Sequence, residues 1–265
     1  MFINPNWRIL TVGDGDLSFS MSLFNRFKPL ELTASVLDCE SELLDKYEQN
    51  SFIQLKQAGV EIITELDITE LNSWQKLKPV YDLVIFQFPL VPGFKSKQEF
   101  QAMQDKYGFD FSINTLNRRL LRKFLQASFS RLLSPNGERL AYISSKDVKP
   151  YIEWNIEDQL HLGLDTQYLG SMPFDMNEFA GYRVRNVDRD KQVKDTKALT
   201  YVWSDKPHQE LKLETFQIKG EEGCDICRAG PFTTAQERIE HSNSAKHKRM
   251  TDYHRQWQSY LDNDS

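Results

Sequence analysis

Cysteine is scarce in this chain of 265 residues, which holds only Cys39, Cys224 and Cys227. An odd, sparse set excludes a disulfide framework and fits a reducing compartment. Long hydrophobic runs are missing as well: no apolar stretch approaches the roughly 20 residues that cross a bilayer. The segment Met1 to Arg8 lacks the basic start and long apolar core of a signal peptide. A cytoplasmic location without a membrane partner is therefore expected. Positive charge is in short supply too, with a formal net charge of -5. That balance does not suit a simple polyanion binder, because such binding draws on phosphate neutralisation. The deficit is uneven, however. Residues 112–149 hold eight Lys/Arg against two acids, enough for a local basic face.

What is present is the material of one α/β domain of about 200 residues with a small appendage. Short apolar runs alternate with helical patterns, the signature of a parallel sheet with crossover helices. Strands are predicted at 8–12, 32–37, 60–66, 81–88 and 138–144, with a late one at 199–203. The run Tyr81–Phe88 (YDLVIFQF) is apolar enough to be buried on both faces. Helices are predicted at 17–27, 42–58 and 113–133, the last ending at the stop signal Ser134-Pro135-Asn136-Gly137. Residues 90–111 read as an inserted loop, and 183–197 as a charged hairpin tip or loop. The boundaries follow: a main domain at 1–205, a linker at 206–222 whose composition shifts at Gly220-Glu221-Glu222, and a terminal module at 223–258.

The first strand runs into Gly13-Asp14-Gly15-Asp16-Leu17-Ser18 and then a helix. Glycines permit a tight turn and a close ligand approach, and the helix start offers unpaired N–H groups. Asp38 ends the second strand, where a carboxylate can accept from two ribose hydroxyls. Asp67 follows the third strand within reach of an adenine amino group, and Gln87-Phe88-Pro89-Leu90 ends the fourth. Gly13, Asp14, Gly15, Asp38, Asp67 and Gln87 are thus the candidate cofactor residues. The rival is a dinucleotide. Its fingerprint needs a third glycine beside the pyrophosphate, and Ser18 stands there instead. S-adenosylmethionine, which has no pyrophosphate, is preferred. Asp16, Gln87 and Pro89 are the candidate residues for chemistry. For Asp16 two roles are open, a base for the acceptor's proton or a cap on the following helix.

These segments, ILTVGDGDLSFSMSL, LTASVLDCESELLDKY, LDITEL and YDLVIFQFP, resemble the Rossmann-like methyltransferases typified by the large-subunit ribosomal RNA uridine-N(3) family. Phe179-Ala180-Gly181-Tyr182-Arg183 resembles a late motif of the same family, and the similarity spans roughly residues 8–203. The resemblance implies a seven-stranded methyltransferase sheet, S-adenosylmethionine as cofactor and a uracil imide nitrogen in RNA as acceptor. Gln87 and Leu90 depart from it, standing where the family usually has Asn and His.

The terminal module carries Cys224-x2-Cys227-x13-His241-x5-His247. Two thiolates on a tight turn and two imidazoles on a helix make the tetrahedral donor set zinc prefers. A small ββα zinc finger is expected, with Phe232 and Ile239 as its core and the metal supplying folding energy. Its wide histidine spacing resembles matrin-type fingers, which implies double-stranded RNA as partner and Lys246, Lys248 and Arg249 as phosphate contacts. Arg118, Arg119 and Arg122 are the candidate RNA contacts of the main domain. Competing functions are a non-catalytic RNA-binding or ribosome-assembly protein on the same fold, and a small-molecule methyltransferase with a structural finger.

Overall fold

Leu83–Gln87 is buried at every position, which an apolar strand achieves only in mid-sheet with helices on both faces. The computed structural model, which describes residues 1–75, 77–107, 111–186, 189–192, 197–215 and 223–264, places it there. The strands are β1 (Arg8–Val12), β2 (Glu31–Ser35), β3 (Glu61–Ile63), β4 (Leu83–Gln87), β5 (Leu140–Lys146) and β6 (Gln167–Pro173). A short pair follows, β7 (Arg185–Asn186) and β8 (Arg189–Gln192), and then β9 (Ala198–Ser204). Seven of them form one sheet in the order β3-β2-β1-β4-β5-β9-β6. β1 to β5 pair in parallel, and β9 runs antiparallel to both its neighbours. The order reverses between β1 and β4, and a ligand crevice forms outside the carboxyl ends of strands at such a point.

Helices α1 (Ser18–Phe27), α2 (Glu40–Lys46), α3 (Phe52–Gln57) and α4 (Leu71–Trp74) belong to the first half. Then come α5 (Lys97–Tyr107), α6 (Ile113–Ala127) and α7 (Ile156–Gln159), with α8 (Ala235–Asn243) and α9 (Ala245–Asn263) at the end. One apolar core gathers Phe19, Leu23, Leu43, Phe52 and Leu55 on one side of the sheet; a second gathers Leu121, Phe124 and Leu125 on the other. Among the described residues no helix is long and apolar enough to cross a membrane.

Several expectations need correction. The helix expected at 42–58 is two helices, because the side chain of Asn50 accepts from Phe52 N and donates to the Tyr47 carbonyl, folding the chain between them. The expected loop 90–111 contains α5. Ser96 and Glu99 start it: Glu99 N donates to Ser96 Oγ at 3.1 Å, and Glu99 Oε2 accepts from Lys95 N at 2.6 Å. α6 stops at Ala127 and continues as a wider turn over Ser128–Leu132, where the hydroxyls of Ser128 and Ser130 donate back to the carbonyls four residues earlier. The expected linker begins later than 206. Leu211 is buried, and Glu214 exchanges two backbone hydrogen bonds of 2.8 Å with Ser171 on β6. Residues 216–222, the remainder of that linker with Gly220 to Glu222, lie outside the described residues.

The largest correction concerns the C-terminus. α9 lies on α6 as part of the second core, with Trp257 fully buried and Tyr260 nearly so. Trp257 Nε1 donates to the Gln159 carbonyl at 3.2 Å, and Asp264 pairs with Arg122 and Lys123 at 3.2 and 2.7 Å. Truncating a fully buried tryptophan removes its transfer energy and leaves a cavity. Trp257→Ala is accordingly expected to cost about 3–5 kcal/mol of global stability in denaturant unfolding, against under 1 kcal/mol if α9 were a free appendage.

Candidate active site and metal centre

The turn after β1 is built around a buried carboxylate. Asp14 Oδ2 accepts from Ser20 N at 2.6 Å and from the Ser20 hydroxyl at 2.5 Å, while Oδ1 accepts from Phe19 N at 3.3 Å. Asp14 lines the cavity, with its carboxylate turned into the start of α1. Gly13 adopts φ +62°, and a Cβ there would stand 2.9 Å from the ring of Phe86. Gly15 has no such room either, with the Tyr47 hydroxyl 3.0 Å from where its Cβ would lie. The turn must be glycine for its backbone to stay open to the crevice.

A cavity of about 530 Å³, in the usual range for small-molecule sites, opens there. It brings together nearly all the candidate residues of the main domain: Gly13, Asp14, Gly15, Asp16, Asp38, Asp67, Gln87, Pro89 and Arg119. Asp38 is met by Lys46 Nζ at 3.1 Å. Asp67 Oδ1 accepts from the backbone N–H and hydroxyl of Thr69 at 2.8 and 2.7 Å. Gln87 is buried at the floor, and neither its amide oxygen nor its amide nitrogen has a partner among the described residues. Phe88 turns the chain at φ +47° directly after it. Such strain in a non-glycine residue persists where the surroundings enforce it, and ligand sites are a usual place.

Asp16 is almost wholly buried. Its Oδ1 accepts from Ser18 N at 3.0 Å, a turn contact just ahead of α1, whose N-cap is Leu17 without a side-chain cap, and its Oδ2 pairs with Arg185 Nε at 2.7 Å. The segment Tyr182–Arg185 thus straps the glycine turn, with Arg183 N donating to Ser18 Oγ at 3.1 Å. Tyr182 packs against Phe19 and Phe88, and burial beside Asp14 and Asp16 pushes its hydroxyl far above its ordinary value. Tyr182 and Arg183 of this strap stand in the late motif read from the sequence; the residues missed are Val184 and Arg185, Lys46 and Tyr47 at the end of α2, and the outer wall of Phe94, Met103, Leu116 and Leu120. Nothing in local spacing marks them, since the sheet's topology alone brings them to one crevice.

The basic residues divide sharply. Arg118 has no exposed surface; it donates to the Glu153 carbonyl at 3.0 Å and lies 5.9 Å from the Trp257 ring. Desolvation lowers its pKa to about 10. Arg122 is buried on the carbonyls of Leu160 and Leu162. Both are closed to RNA, correcting the expectation. Spacing was the missed signal, because 118 and 122 share a helix face with Leu121 and Leu125. Lys246 donates to the Cys227 carbonyl and Arg249 pairs with Glu153 at 2.7 Å, whereas Lys248 is exposed.

At the terminal module, donor atoms of Cys224, Cys227, His241 and His247 lie within 4.8 Å of one another. Both sulfurs are 3.5 Å from His247 Nδ1, and His241 Nε2 is 3.2 Å from it. These are close to the edges of a tetrahedron with metal–ligand bonds of about 2.0–2.3 Å, so the four residues fit zinc. The ββα expectation needs correction. Among the described residues the cysteines sit on a knuckle closed by an isolated bridge between Cys224 and Ala229. The histidines lie on two helices, because Ser244 accepts from His247 N and starts α9 anew. Phe232 packs on His241 at 4.8 Å, but Ile239 is 55% exposed and no part of a core.

A reversed-order parallel sheet with an antiparallel penultimate strand, a glycine turn and carboxylates at successive strand ends defines a Rossmann-like sheet of the methyltransferase type. The chain belongs to the BMT5-like family, described as rRNA (uridine-N3-)-methyltransferase BTM5-like, whose model matches residues 10–186. It is 32% identical over 189 residues to heavy metal-associated isoprenylated plant protein 41 of Arabidopsis thaliana, covering 70% of this chain and 34% of that one. The chain thus spans about a third of that relative's length. An uncharacterized Arabidopsis thaliana protein is 29% identical over 181 residues, covering 66% of this chain and 79% of its own. Similar solved structures include the B. subtilis M1A22 tRNA methyltransferase TrmK, at 10% identity, TM-score 0.42, and 96% and 92% coverage of this chain and that one. Another is the ribosomal protein L11 methylase of Lactobacillus delbrueckii subsp. bulgaricus, at 12% identity, TM-score 0.41, and 75% and 69% coverage.

Burial, with the Asp16 charge adding to it, raises the Asp14 carboxyl from its ordinary 3.8 to about 7. Between those values the folded protein keeps a proton that the unfolded chain has released. Stability therefore falls as pH rises through that window. Asp14→Asn is expected to flatten this dependence in denaturant titrations run from pH 5 to 8; a slope equal to the wild type's would show that Asp14 is ionised throughout.

Proposed function

We propose that the protein transfers a methyl group from S-adenosylmethionine to N3 of a uridine in RNA, ribosomal RNA foremost, and that its terminal module holds zinc and helps dock the substrate. What carries the reading is one cavity that combines the glycine turn, the strand-end carboxylates and the buried, unpartnered amide of Gln87. In it Asp38 would hold the ribose hydroxyls, Asp67 the adenine amino group, and the open backbone at Gly13 and Gly15 the rest of the cofactor. The cofactor supplies a sulfonium methyl, and the protein's work is mainly positioning the acceptor in line with it.

The amide of Gln87 offers an N–H donor group beside a carbonyl acceptor, which suits the alternating carbonyl and N–H edge of a uracil. An unpartnered buried amide is costly until a ligand meets it, so this residue favours a polar base edge over an apolar acceptor. Leu90 offers no proton acceptor where the family's histidine usually stands. We therefore assign the imide proton to Asp16, which Arg185 holds in place at the glycine turn. Arg119 and Arg183 line the same cavity and suit a nucleotide phosphate. The exposed Lys248 and the shell of α8 are the surface the zinc module offers to RNA.

Two measurements test this. Incubation of the purified protein with labelled S-adenosylmethionine and ribosomal RNA should yield N3-methyluridine on nucleoside mapping, with Asp38→Ala lowering the rate at least about tenfold. Cofactor binding without transfer to any RNA would instead favour the assembly reading. Metal analysis should find one zinc per chain, lost in Cys224→Ser. Its removal by a chelator should lower the melting temperature by several degrees, since α9 is part of the core.

A further inference from the structure

The C-terminal helix meets the start of α6, whose next residues line the outer wall of the cavity, through one side chain. Gln256 Oε1 accepts from Ser112 N at 2.8 Å and from the Thr115 hydroxyl at 3.2 Å. Ser112 is the N-cap of α6, its own hydroxyl accepting from Thr115 N. An N–H at a helix start has no partner within the helix, and here α9 provides one. Directly C-terminal to this joint, Leu116, Arg119 and Leu120 of α6 line the cavity. Directly before it, the carbonyl of buried Phe111 accepts from Gln104 Nε2 at 2.9 Å, which ties in α5 and the wall residue Met103. The start of α6 is the joint between two walls of the acceptor end, and Gln256 is fastened to it.

α9 serves as a fixed post because it is anchored on the other side. Trp257, the next residue, is fully buried, and Arg249 and Asp264 pair with Glu153 and Arg122. The cofactor end stands on β1, β2 and β4 and shares none of these contacts. We propose that Gln256 is a positioning residue of the acceptor pocket, acting through Ser112 and Thr115 to set where Leu116, Arg119 and Leu120 stand. The proposal rests on the RNA methyltransferase reading for its substrate but not for its geometry. The terminal module is thereby part of the active site's framework, since α9 carries His247 in its first turn and Gln256 farther along.

The full-length protein tests this as wild type, Gln256→Ala and Gln256→Glu. Glutamate keeps an acceptor oxygen, and its charge is favourable at a helix N-terminus. Gln256→Ala should speed amide exchange across residues 111–120 and raise KM for RNA about tenfold. Affinity for S-adenosylhomocysteine and kcat should stay within about twofold, and Gln256→Glu should restore both exchange and KM. Unchanged exchange and KM in Gln256→Ala would overturn the proposal, as would equal losses in both variants or a parallel loss of S-adenosylhomocysteine binding. If the wild type methylates no RNA, the functional reading fails by itself, and the exchange and S-adenosylhomocysteine measurements still decide the positioning role.

Discussion

Asp14 is the carboxylate on which the crevice depends. Its three hydrogen bonds to Ser20 and Phe19 fix how α1 leaves β1, and so fix the backbone of Gly13 and Gly15 facing outward. Hydrogen bonds in a buried place are strong, and removing one partner leaves the others unmet. Everything else at the site is arranged about this turn. Asp38 and Asp67 reach the crevice from the ends of β2 and β3, Gln87 from β4, and the strap of Tyr182–Arg185 closes on Asp16.

The second organising contact is α9 on α6. A helix that begins within a Cys/His cluster ends by burying Trp257 and Tyr260 in the core of the main domain. The two units read from composition are therefore one mechanical object. Ser244 starts α9 beside the cluster, Trp257 of α9 lies against Arg118, and Arg118 and Arg122 cross-brace residues 153–162. Arg118 shows the cost of this arrangement. It is a buried cation met by a carbonyl and an aromatic face.

The sheet was legible because its strands carry local signals. Leu83–Gln87 is a continuous apolar run, and a glycine turn between strand and helix is a local motif. For the same reason the cavity residues on strand ends could be read by position alone. The cluster of four metal-type ligands needed only spacing. What could not be read is what depends on tertiary approach. The strap's Arg185 meets Asp16 across 169 residues of chain, and Gln256 meets Ser112 across 144. Arg118 and Arg122 show the opposite error. Composition made them a basic surface, whereas the helix period shared with Leu121 and Leu125 puts them inside. α5 carried a capping signal at Ser96 and Glu99, outweighed in the reading by the glycines and prolines around it.

The central claim is that the crevice beside Gly13 takes an adenosyl cofactor without a pyrophosphate. Calorimetry of the purified protein with S-adenosylhomocysteine and with NAD tests it most directly, using Asp38→Ala as control. The account requires binding of S-adenosylhomocysteine, weakened at least about tenfold in Asp38→Ala by loss of the ribose carboxylate, and no heat with NAD. Binding of NAD in preference, or S-adenosylhomocysteine binding indifferent to Asp38, would contradict it.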